Sequence, residues 1–251
     1  MVTFENTLFV GKVLISLETV DSTNNYAKDL LSKSKPLEGT AIIAHTQHQG
    51  RGQIGNTWFS EPGKNLTLSI ILYPAFLKAA DQFGLTQAIA LGICDLGRSL
   101  LHRPVHIKWP NDIYCEGKKL AGILVENSVA GPNLTDSVVG IGLNVNQTNF
   151  EGLGNATSMN LLGGREFELK LTCEALFASL EKRYLQLKNG HRDVLNMDYL
   201  RLLYRRKEWH SYKTGKGTIQ GRILGVNDHG QLEMETKEGI RYFNNKEVEF
   251  V

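Results

Sequence analysis

The chain alternates between short apolar runs, which are typical of strands, and longer stretches with apolar residues at helical spacing. The short runs predict strands over Val13–Leu17, Thr40–Ala44, Leu66–Tyr73, Val105–Lys108 and Ser137–Val145. The alternation of apolar and polar residues in Leu66–Tyr73 makes that strand the clearest of them.

Helical spacing predicts four helices. The first begins after Asp21–Asn24, whose short polar side chains suit an N-cap. The longest covers Ala79–Leu101 and carries an apolar stripe on one face. Two more helices are predicted over Leu171–Leu187 and Tyr199–Lys207, and Asn189-Gly190 is typical of a helix end.

A hairpin is predicted where Ile113–Cys115 and Leu120–Glu126 flank Glu116-Gly117. The pattern changes from Lys216 onward, where short alternating runs are broken repeatedly by glycine. This spacing is typical of a small all-β barrel of about 40 residues.

The composition is that of an ordinary globular protein with room for one large and one small domain. The chain has 251 residues, of which 41% are hydrophobic and 22% are charged. Its net charge is 28 − 26 = +2, which favours neither nucleic acid nor a membrane surface as a partner. A basic cluster at Arg201, Arg205, Arg206 and Lys207 is interpreted as a solvated helix face, because no long basic run extends it.

Cysteine usage and the absence of targeting signals point to a reducing compartment. Cys94, Cys115 and Cys173 are far apart and form no C-x-x-C pair, so neither a zinc site nor a disulfide framework is predicted. Met1–Asn6 lacks the features of a signal peptide, and no apolar run reaches the length that a bilayer requires. We therefore expect a cytoplasmic protein without a membrane partner.

Candidate chemistry is concentrated in Lys108–Asp112 and Lys119–Gly122, which place two lysines and a carboxylate between apolar strands. Upstream, the loop Gly50–Gly55 carries Arg51 between two glycines. Guanidinium and ammonium groups bind phosphates and carboxylates. The three motifs together predict a site for a negatively charged, phosphate-bearing intermediate.

The loop Gly50–Gly55 also matches G-x-G-x-x-G, a pattern of dinucleotide-binding domains. That interpretation requires a helix directly after the loop, whereas Trp58–Gly63 is typical of a turn followed by a strand. A surface loop without a ligand is a second alternative. The guanidinium of Arg51 favours a third, a mobile loop that closes over a phosphate.

Single residues of these motifs have both functional and structural interpretations. Lys119 precedes tightly packed strand residues, so its ammonium could neutralise charge at a phosphate or a carboxylate. Asp112 could orient a lysine or a metal ion, or it could form the turn after Pro110. The chain contains no P-loop motif, and its seven histidines show no metal-binding or triad spacing.

Two polar segments have open alternatives. Ser22, Thr23 and Asn24 cap a helix or form a polar pocket for a neutral urea or amide group, and the two interpretations are compatible. Gly140–Asn146 has glycines that permit a ligand or a backbone to approach closely. Its asparagines could contact an adenine edge or form a turn.

Taken together, these motifs resemble those of the biotin protein ligases. They occur in that family's order and spacing over most of residues 13–190, and the segment from residue 209 resembles the family's SH3-like C-terminal domain. The matching positions are Asp21–Asn24, Gln47, Gly50–Gly52, Trp58, Lys108–Asp112, Lys119–Glu126 and Gly140–Asn144.

The resemblance implies an α+β fold in which helices flank a mixed β-sheet, as in class II synthetases, with a small SH3-like β-barrel at the C-terminal end. It implies a catalytic domain over residues 1–195, a connecting helix over 196–208 and a C-terminal domain over 209–251.

The resemblance also implies a two-step ligation. Biotin's carboxylate attacks the α-phosphate of ATP and gives biotinyl-5′-AMP, and a lysine of a biotin carboxyl carrier protein then displaces AMP. Mg²⁺ would accompany ATP, and no metal-binding residue of the protein is assigned. A lipoate–protein ligase, which shares the fold and the adenylation chemistry, and a non-catalytic biotin-binding regulatory module are the alternatives.

Residue roles carried over from the family fall into three groups. Lys119, Arg51 and Asp112 would be catalytic. The biotin-binding group would be Ser22, Thr23, Asn24, Gln47, Arg51, Gly52, Gln53, Lys119 and Gly122. The nucleotide-binding group would be Trp58, Lys108, Asn111 and Asn144.

The chain departs from the family pattern in two places. Gln53 stands where many members carry a second arginine, and Asn56 where they carry another basic residue, so the strength with which the adenylate is retained stays open. Regulatory members carry a DNA-binding domain before the first strand, whereas residues 1–12 precede it here, so we expect no DNA partner. Monomer and homodimer both stay open.

Overall fold

The computed structural model describes residues 6–53 and 55–251 of the chain. Ile54 of the glycine loop, and residues 1–5, on which the prediction of no signal peptide depends, lie outside the described residues. Two β-sheets and a set of α-helices organise the rest.

The larger sheet has seven strands in the order β1-β2-β3-β7-β6-β5-β4. These strands are β1 (Leu14–Val20), β2 (Ala41–Gln47), β3 (Leu66–Leu72), β4 (Val105–Lys108), β5 (Asp112–Cys115), β6 (Lys118–Ala130) and β7 (Asn133–Leu143). β1 and β2 are parallel, whereas the other neighbouring strands are antiparallel. The predicted mixed sheet is confirmed.

Helices cover both faces of this sheet. They are α1 (Thr23–Lys33), α2 (Phe83–Leu101), α3 (Met159–Gly163), α4 (Leu169–Lys188) and α5 (Arg192–Leu202). α1 buries a small apolar cluster on one face, while α2 lies on the other face and packs closely against α4. The predicted α+β class, with helices flanking the sheet, is therefore confirmed.

The strand predicted over Leu66–Tyr73 exists as β3, but it is buried at every position. Ile71 packs under α1, whereas Leu68 and Ile70 belong to the main core on the opposite face. The polar residues of the alternation, Thr67 and Ser69, are buried with the rest. Because helices cover both faces, the alternation does not separate a buried face from an exposed one.

The predicted hairpin between β5 and β6 is confirmed. Glu116 and Gly117 form its turn with φ angles of 50° and 73°. Positive φ at both central residues is the geometry of a type I′ turn, which matches the twist of the flanking strands. This turn brings Asp112 and Lys119 onto adjacent strands.

The helix predicted over Tyr199–Lys207, and with it the connecting helix over 196–208, differs from the structure, in which α5 begins at Arg192 and ends at Leu202. Beyond it, Arg205 and Lys207 have left-handed backbone, with φ of 56° and 65°. The amide of Lys207 donates to the Ile223 carbonyl at 2.9 Å instead of to a preceding turn. A tertiary hydrogen bond thus replaces the helical one.

A second, five-stranded antiparallel sheet occupies the C-terminal end, in the order β11-β10-β9-β8-β12. Its strands are β8 (Trp209–Thr214), β9 (Gly217–Val226), β10 (Leu232–Thr236), β11 (Gly239–Phe243) and β12 (Val248–Phe250). The predicted all-β unit is confirmed. The predicted closure into a barrel is not confirmed, because β11 and β12 are edge strands that do not pair with each other within the described residues.

The two sheets share one continuous apolar core. At their junction, the buried indole of Trp109 donates from Nε1 to the carbonyl of Gly230 at 2.9 Å, and Tyr204 stacks on Phe250 at 6.4 Å between ring centroids. None of the helices in the described parts of the chain combines the length and apolar character that a membrane crossing requires.

We expect Trp109→Phe to lower the free energy of unfolding by about 1–3 kcal/mol, because it leaves the Gly230 carbonyl without its donor at a packed junction. Trp209→Phe is the matched control, since Trp209 is 48% exposed. Its change should stay within about 0.5 kcal/mol. Urea denaturation measures both, and equal losses in the two variants would contradict the prediction.

Candidate active site

A cavity opens between the first turn of α1, the glycine loop and the central strands β6 and β7. Segments far apart in the sequence meet there because the sheet order places β6 and β7 beside β3. Of the predicted site residues, the cavity is lined by Ser22, Thr23, Asn24, Gln47, Arg51, Gly52, Gln53, Trp58, Asn111, Asp112, Lys119 and Gly122.

The base of the cavity is a network of neutral polar groups. Gln47 Oε1 accepts from the Thr23 amide at 2.8 Å, and Thr23 Oγ1 lies 3.2 Å from the same oxygen. Ser69 Oγ lies 2.6 Å from Asn24 Oδ1 and 2.8 Å from Thr23 Oγ1. Ser69 was not among the predicted residues, although a serine inside an apolar strand is a signal that could have identified it.

Ser22 occupies the N-cap position of α1 and also lines the cavity. Its side chain makes no capping hydrogen bond within the described part of the chain. The residue is buried and lines the cavity. This placement agrees with the polar-pocket interpretation, and the binding of a ligand by the Ser22 hydroxyl stays a prediction.

Two glycines of β7 make room for the cavity walls. A Cβ atom at Gly140 would lie 2.3 Å from Asn24 Oδ1, and one at Gly142 would lie 2.2 Å from the Trp58 ring. Both distances are far below van der Waals contact. The predicted close approach at these glycines is thus made by protein side chains, Asn24 and Trp58.

Trp58 forms one wall of the cavity, against Gly142 and Gly122. Its Nε1 is buried without a hydrogen-bond partner among the described residues. A buried N–H that lacks an acceptor is costly, so this donor suits an oxygen or a nitrogen of a bound ligand. The ammonium of Lys119 lies 5.5 Å from the centre of the Trp58 ring system.

Lys119 and Asp112 form an ion pair with 2.7 Å between Nζ and Oδ1. The two side chains are 32% and 21% exposed, so the cation is partly desolvated and opens onto the cavity. This contact matches the interpretation in which Asp112 orients a lysine, and its role toward a metal ion stays a prediction. An ammonium held in this way can stabilise negative charge that develops beside it.

Arg51 is paired with a carboxylate that was not among the predicted residues. Its Nη2 lies 2.9 Å from Glu126 Oε1 and its Nη1 lies 3.2 Å from Oε2, a two-pronged contact. Nη1 also donates to Asn25 Oδ1 at 2.9 Å. The guanidinium is thereby held at the mouth of the cavity.

Glu126 also accepts a hydrogen bond from Asn24 Nδ2 at 2.9 Å and pairs with Lys28. Burial opposes ionisation of its carboxyl, but the hydrogen bonds from Lys28 and Asn24 and the charges of Lys28 and Arg51 outweigh it, so its pKa is lowered. The signal in the sequence was an acidic residue within the otherwise apolar strand that follows Lys119.

The glycine loop folds back as a small hairpin, with Arg51 bridged to Thr57 and the Gly52 amide donating to the Asn56 carbonyl at 2.9 Å. No helix follows the loop in the described residues, which excludes the dinucleotide-binding interpretation. At its tip, Gln53 Oε1 accepts from Nδ2 of Asn245, which lies in the turn between β11 and β12.

Asn111 stabilises the turn that carries Asp112. Its Nδ2 donates to the Ile123 carbonyl at 2.7 Å, and the Ile123 amide donates to the Asn111 carbonyl at 3.0 Å. The preceding Trp109–Pro110 bond is cis. These backbone contacts hold Asp112 at the edge of the cavity.

Lys108 does not line the cavity. Its Nζ lies 3.0 Å from the Tyr114 hydroxyl, 4.8 Å from the Tyr114 ring centre and 5.1 Å from that of Phe250. Burial lowers the pKa of this lysine. It occupies the junction with the C-terminal sheet, and its nucleotide-binding role stays a prediction.

Asn144 is also outside the cavity lining. It is buried, its Nδ2 donates to the Thr157 carbonyl at 2.9 Å, and its backbone bonds to Leu120 and Met159. These contacts match the turn-forming interpretation. Its contact with adenine stays a prediction.

Metal-binding groups are sparse in the described residues, where no three side chains of histidine, cysteine, aspartate or glutamate come together. Among the described residues that line the cavity, Asp112 is the one carboxylate. The three cysteines are buried free thiols.

Comparison with known proteins identifies one family. The model of the biotin/lipoate A/B protein ligase family matches residues 16–144. The chain is 31% identical over 259 residues to the bifunctional ligase/repressor BirA of Bacillus spizizenii, covering 96% of this chain and 74% of that protein. It is 29% identical over 246 residues to the biotin–[acetyl-CoA-carboxylase] ligase of Paracoccus denitrificans, covering 93% and 99%.

A solved structure with the same fold is the biotin protein ligase of Aquifex aeolicus in complex with biotin and ATP. It superposes with a TM-score of 0.80 at 27% sequence identity, over 96% of this chain and 99% of that one. The match therefore extends over both sheets and the helices of this chain, in a protein that was solved with its ligands bound.

We expect Gly142→Ala to lower the free energy of unfolding by about 1–3 kcal/mol, because the new methyl group overlaps the packed Trp58 ring. Gly215→Ala is the control, since nothing lies within 4 Å of a Cβ placed there. Thermal unfolding of both variants tests the prediction. A Gly142→Ala protein as stable as the control would contradict it and show that the Trp58 ring shifts at no cost in stability.

Proposed function

The chain belongs to the biotin/lipoate A/B protein ligase family, and we propose that it is an ATP-dependent biotin–protein ligase. One observation carries the proposal: a single cavity joins a neutral polar base, formed by Thr23, Asn24 and Gln47, to a cationic mouth with Arg51 and Lys119. Biotin has a neutral ureido head at one end and a carboxylate at the other, and this gradient suits it.

The first step forms biotinyl-5′-AMP. An oxygen of biotin's carboxylate bonds to the α-phosphorus of ATP, the bond to the β-phosphate oxygen breaks, and pyrophosphate leaves. Two anions must meet, so their repulsion has to be offset by fixed cations. Lys119 and Arg51 are the two cations among the described residues that line the cavity, and each is held by a carboxylate, Asp112 or Glu126.

The base of the cavity would recognise the ureido group. A urea carbonyl accepts hydrogen bonds and its two N–H groups donate them, so the site needs both kinds of partner. The hydroxyls of Ser22 and Thr23 and the amide of Asn24 offer both. The Oε1 atom of Gln47 accepts the hydrogen bond from the Thr23 amide. The Nε2 atom, on the other side of the same side-chain amide, is the donor that Gln47 offers. Gly52, Gln53 and Gly122 also line the cavity.

The second step transfers biotin to protein. A lysine amine of the acceptor attacks the carbonyl carbon of the mixed anhydride, the bond to the phosphate oxygen breaks, and AMP leaves. Asp112 keeps Lys119 oriented during this step. The acceptor in this proposal is a biotin carboxyl carrier domain. The free, buried thiols of this chain agree with a reducing cytoplasm as the location of the ligase.

Magnesium enters the proposal with ATP. Mg²⁺ binds in proteins through one or two carboxylates together with substrate phosphates. Asp112 is a carboxylate that lines the cavity beside Lys119. The ion would reduce the negative charge of the phosphates. The side chains that orient biotin are independent of it.

We expect ATP–pyrophosphate exchange that depends on biotin, measured with magnesium and with lipoate at equal concentration as the comparison. Lipoate lacks a ureido group, so the polar base would be left without partners in its presence. Exchange with lipoate alone would contradict the proposal and favour a lipoate ligase. Biotin binding without any exchange would favour a non-catalytic biotin-binding protein.

We expect Lys119→Ala to reduce the exchange rate by about 10²-fold or more, since it removes a cation aimed at the reacting phosphate. Lys118→Ala is the matched control, because Lys118 is the adjacent residue of the same strand and is exposed. Its exchange rate should be close to that of the wild type. Near-normal turnover in Lys119→Ala, with circular dichroism confirming that both variants are folded, would remove Lys119 from the mechanism.

A further inference from the structure

Glu126 lies outside the cavity lining, yet it contacts two residues that line it. Its carboxylate accepts from Asn24 Nδ2 at 2.9 Å and makes two contacts with Arg51, at 2.9 and 3.2 Å. The side chain is 19% exposed. The two steps described above make no use of it.

Two acceptors face the amide nitrogen of Asn24, the Glu126 carboxylate at 2.9 Å and, at the longer distance of 3.5 Å, the Leu124 carbonyl. An ionised carboxylate can only accept hydrogen bonds, so Asn24 must turn its Nδ2 toward Glu126. Its Oδ1 is then directed to Ser69 and toward the Cα of Gly140. Without the carboxylate, only the long contact with the Leu124 carbonyl would oppose a half-turn of the amide that exchanges its donor and acceptor ends.

The contact with Arg51 restrains the glycine loop. Arg51 stands between Gly50 and Gly52, where the backbone has wide conformational freedom. A planar guanidinium that binds a carboxylate at two points has a defined direction, which a single contact would not impose. Glu126 thereby links the loop to β6.

We propose that Glu126 is a positioning residue, which orients the amide of Asn24 at the base of the cavity and holds the guanidinium of Arg51 at its mouth before biotin binds. The inference rests on the proposed function, since it assigns both ends of the cavity to biotin. Pairing with Lys28 and Arg51, together with the hydrogen bond from Asn24, keeps the carboxyl ionised at neutral pH because these contacts lower its pKa against the effect of burial.

Glu126→Gln tests this with almost no change in shape. The new amide is a donor at one end, so it must face at least one of the donors of Asn24, Lys28 or Arg51. We expect the KM for biotin in the exchange assay to rise about tenfold while kcat stays within about threefold, because preorganisation contributes to binding more than to chemistry. Release of biotinyl-5′-AMP should accelerate by a similar factor.

A double-mutant cycle separates positioning from general destabilisation. If Glu126 acts through Arg51, Arg51→Gln combined with Glu126→Gln should raise the KM little further than the stronger single change does. Independent effects would multiply. Asp29→Asn is the control, since Asp29 is an acidic residue of α1 that pairs only with the exposed Lys33 among the contacts described for its carboxylate. Its KM should be unchanged.

Each outcome has a distinct meaning. A Glu126→Gln protein with the KM and release rate of the wild type would overturn the inference, and a fully multiplicative cycle would overturn the role through Arg51, provided that the wild type shows biotin-dependent exchange. A lower thermal stability with an unchanged KM would assign Glu126 a structural role only. Wild-type protein without biotin-dependent exchange would overturn the proposed function, and this inference with it.

Discussion

The missing side chains at Gly140 and Gly142 are the constraint on which the site depends. Strand β7 lies in the middle of the larger sheet, where any Cβ at these positions would overlap Asn24 or Trp58. Because Gly140 and Gly142 have no side chain, Asn24 in the first turn of α1 and the indole of Trp58 can pack directly against the backbone of β7. The cavity is the space left between these two contacts. Its shape therefore follows from backbone packing in the core, and the polar groups are arranged around that space.

Charge is graded along the cavity, and each cation is already paired. Lys119 is held by Asp112 and Arg51 by Glu126, whereas the base contains only neutral groups. A partly buried cation without a partner would be costly, so carboxylates keep both cations in place in the absence of ligand. An anionic ligand then meets positive groups that need little reorganisation, and this is the condition under which electrostatic stabilisation is most effective.

Much of the fold could be predicted because its signals are local. The hairpin at Glu116-Gly117 depends on two adjacent residues that adopt positive φ, and the ends of α4 and the strands of the large sheet depend on periodicity within short windows. The end of α5 could not be predicted. The residues after Leu202 continue a plausible helical pattern, but the Lys207 amide bonds to Ile223 in another sheet. A local sequence pattern does not indicate a hydrogen bond between distant segments. For the same reason, the sequence did not show that the edge strands β11 and β12 stay apart instead of closing a barrel.

The site divides in the same way. From the sequence alone, Arg51, Asp112 and Lys119 could be predicted to share one site, because each belongs to a short motif with a recognisable spacing. Only the tertiary structure decided their partners: Arg51 pairs with Glu126, 75 positions away, and Lys108 turns toward Phe250 instead of toward the cavity. The physical reason is that a side chain's charge is fixed by its identity, whereas its partner is fixed by which strands the fold places side by side.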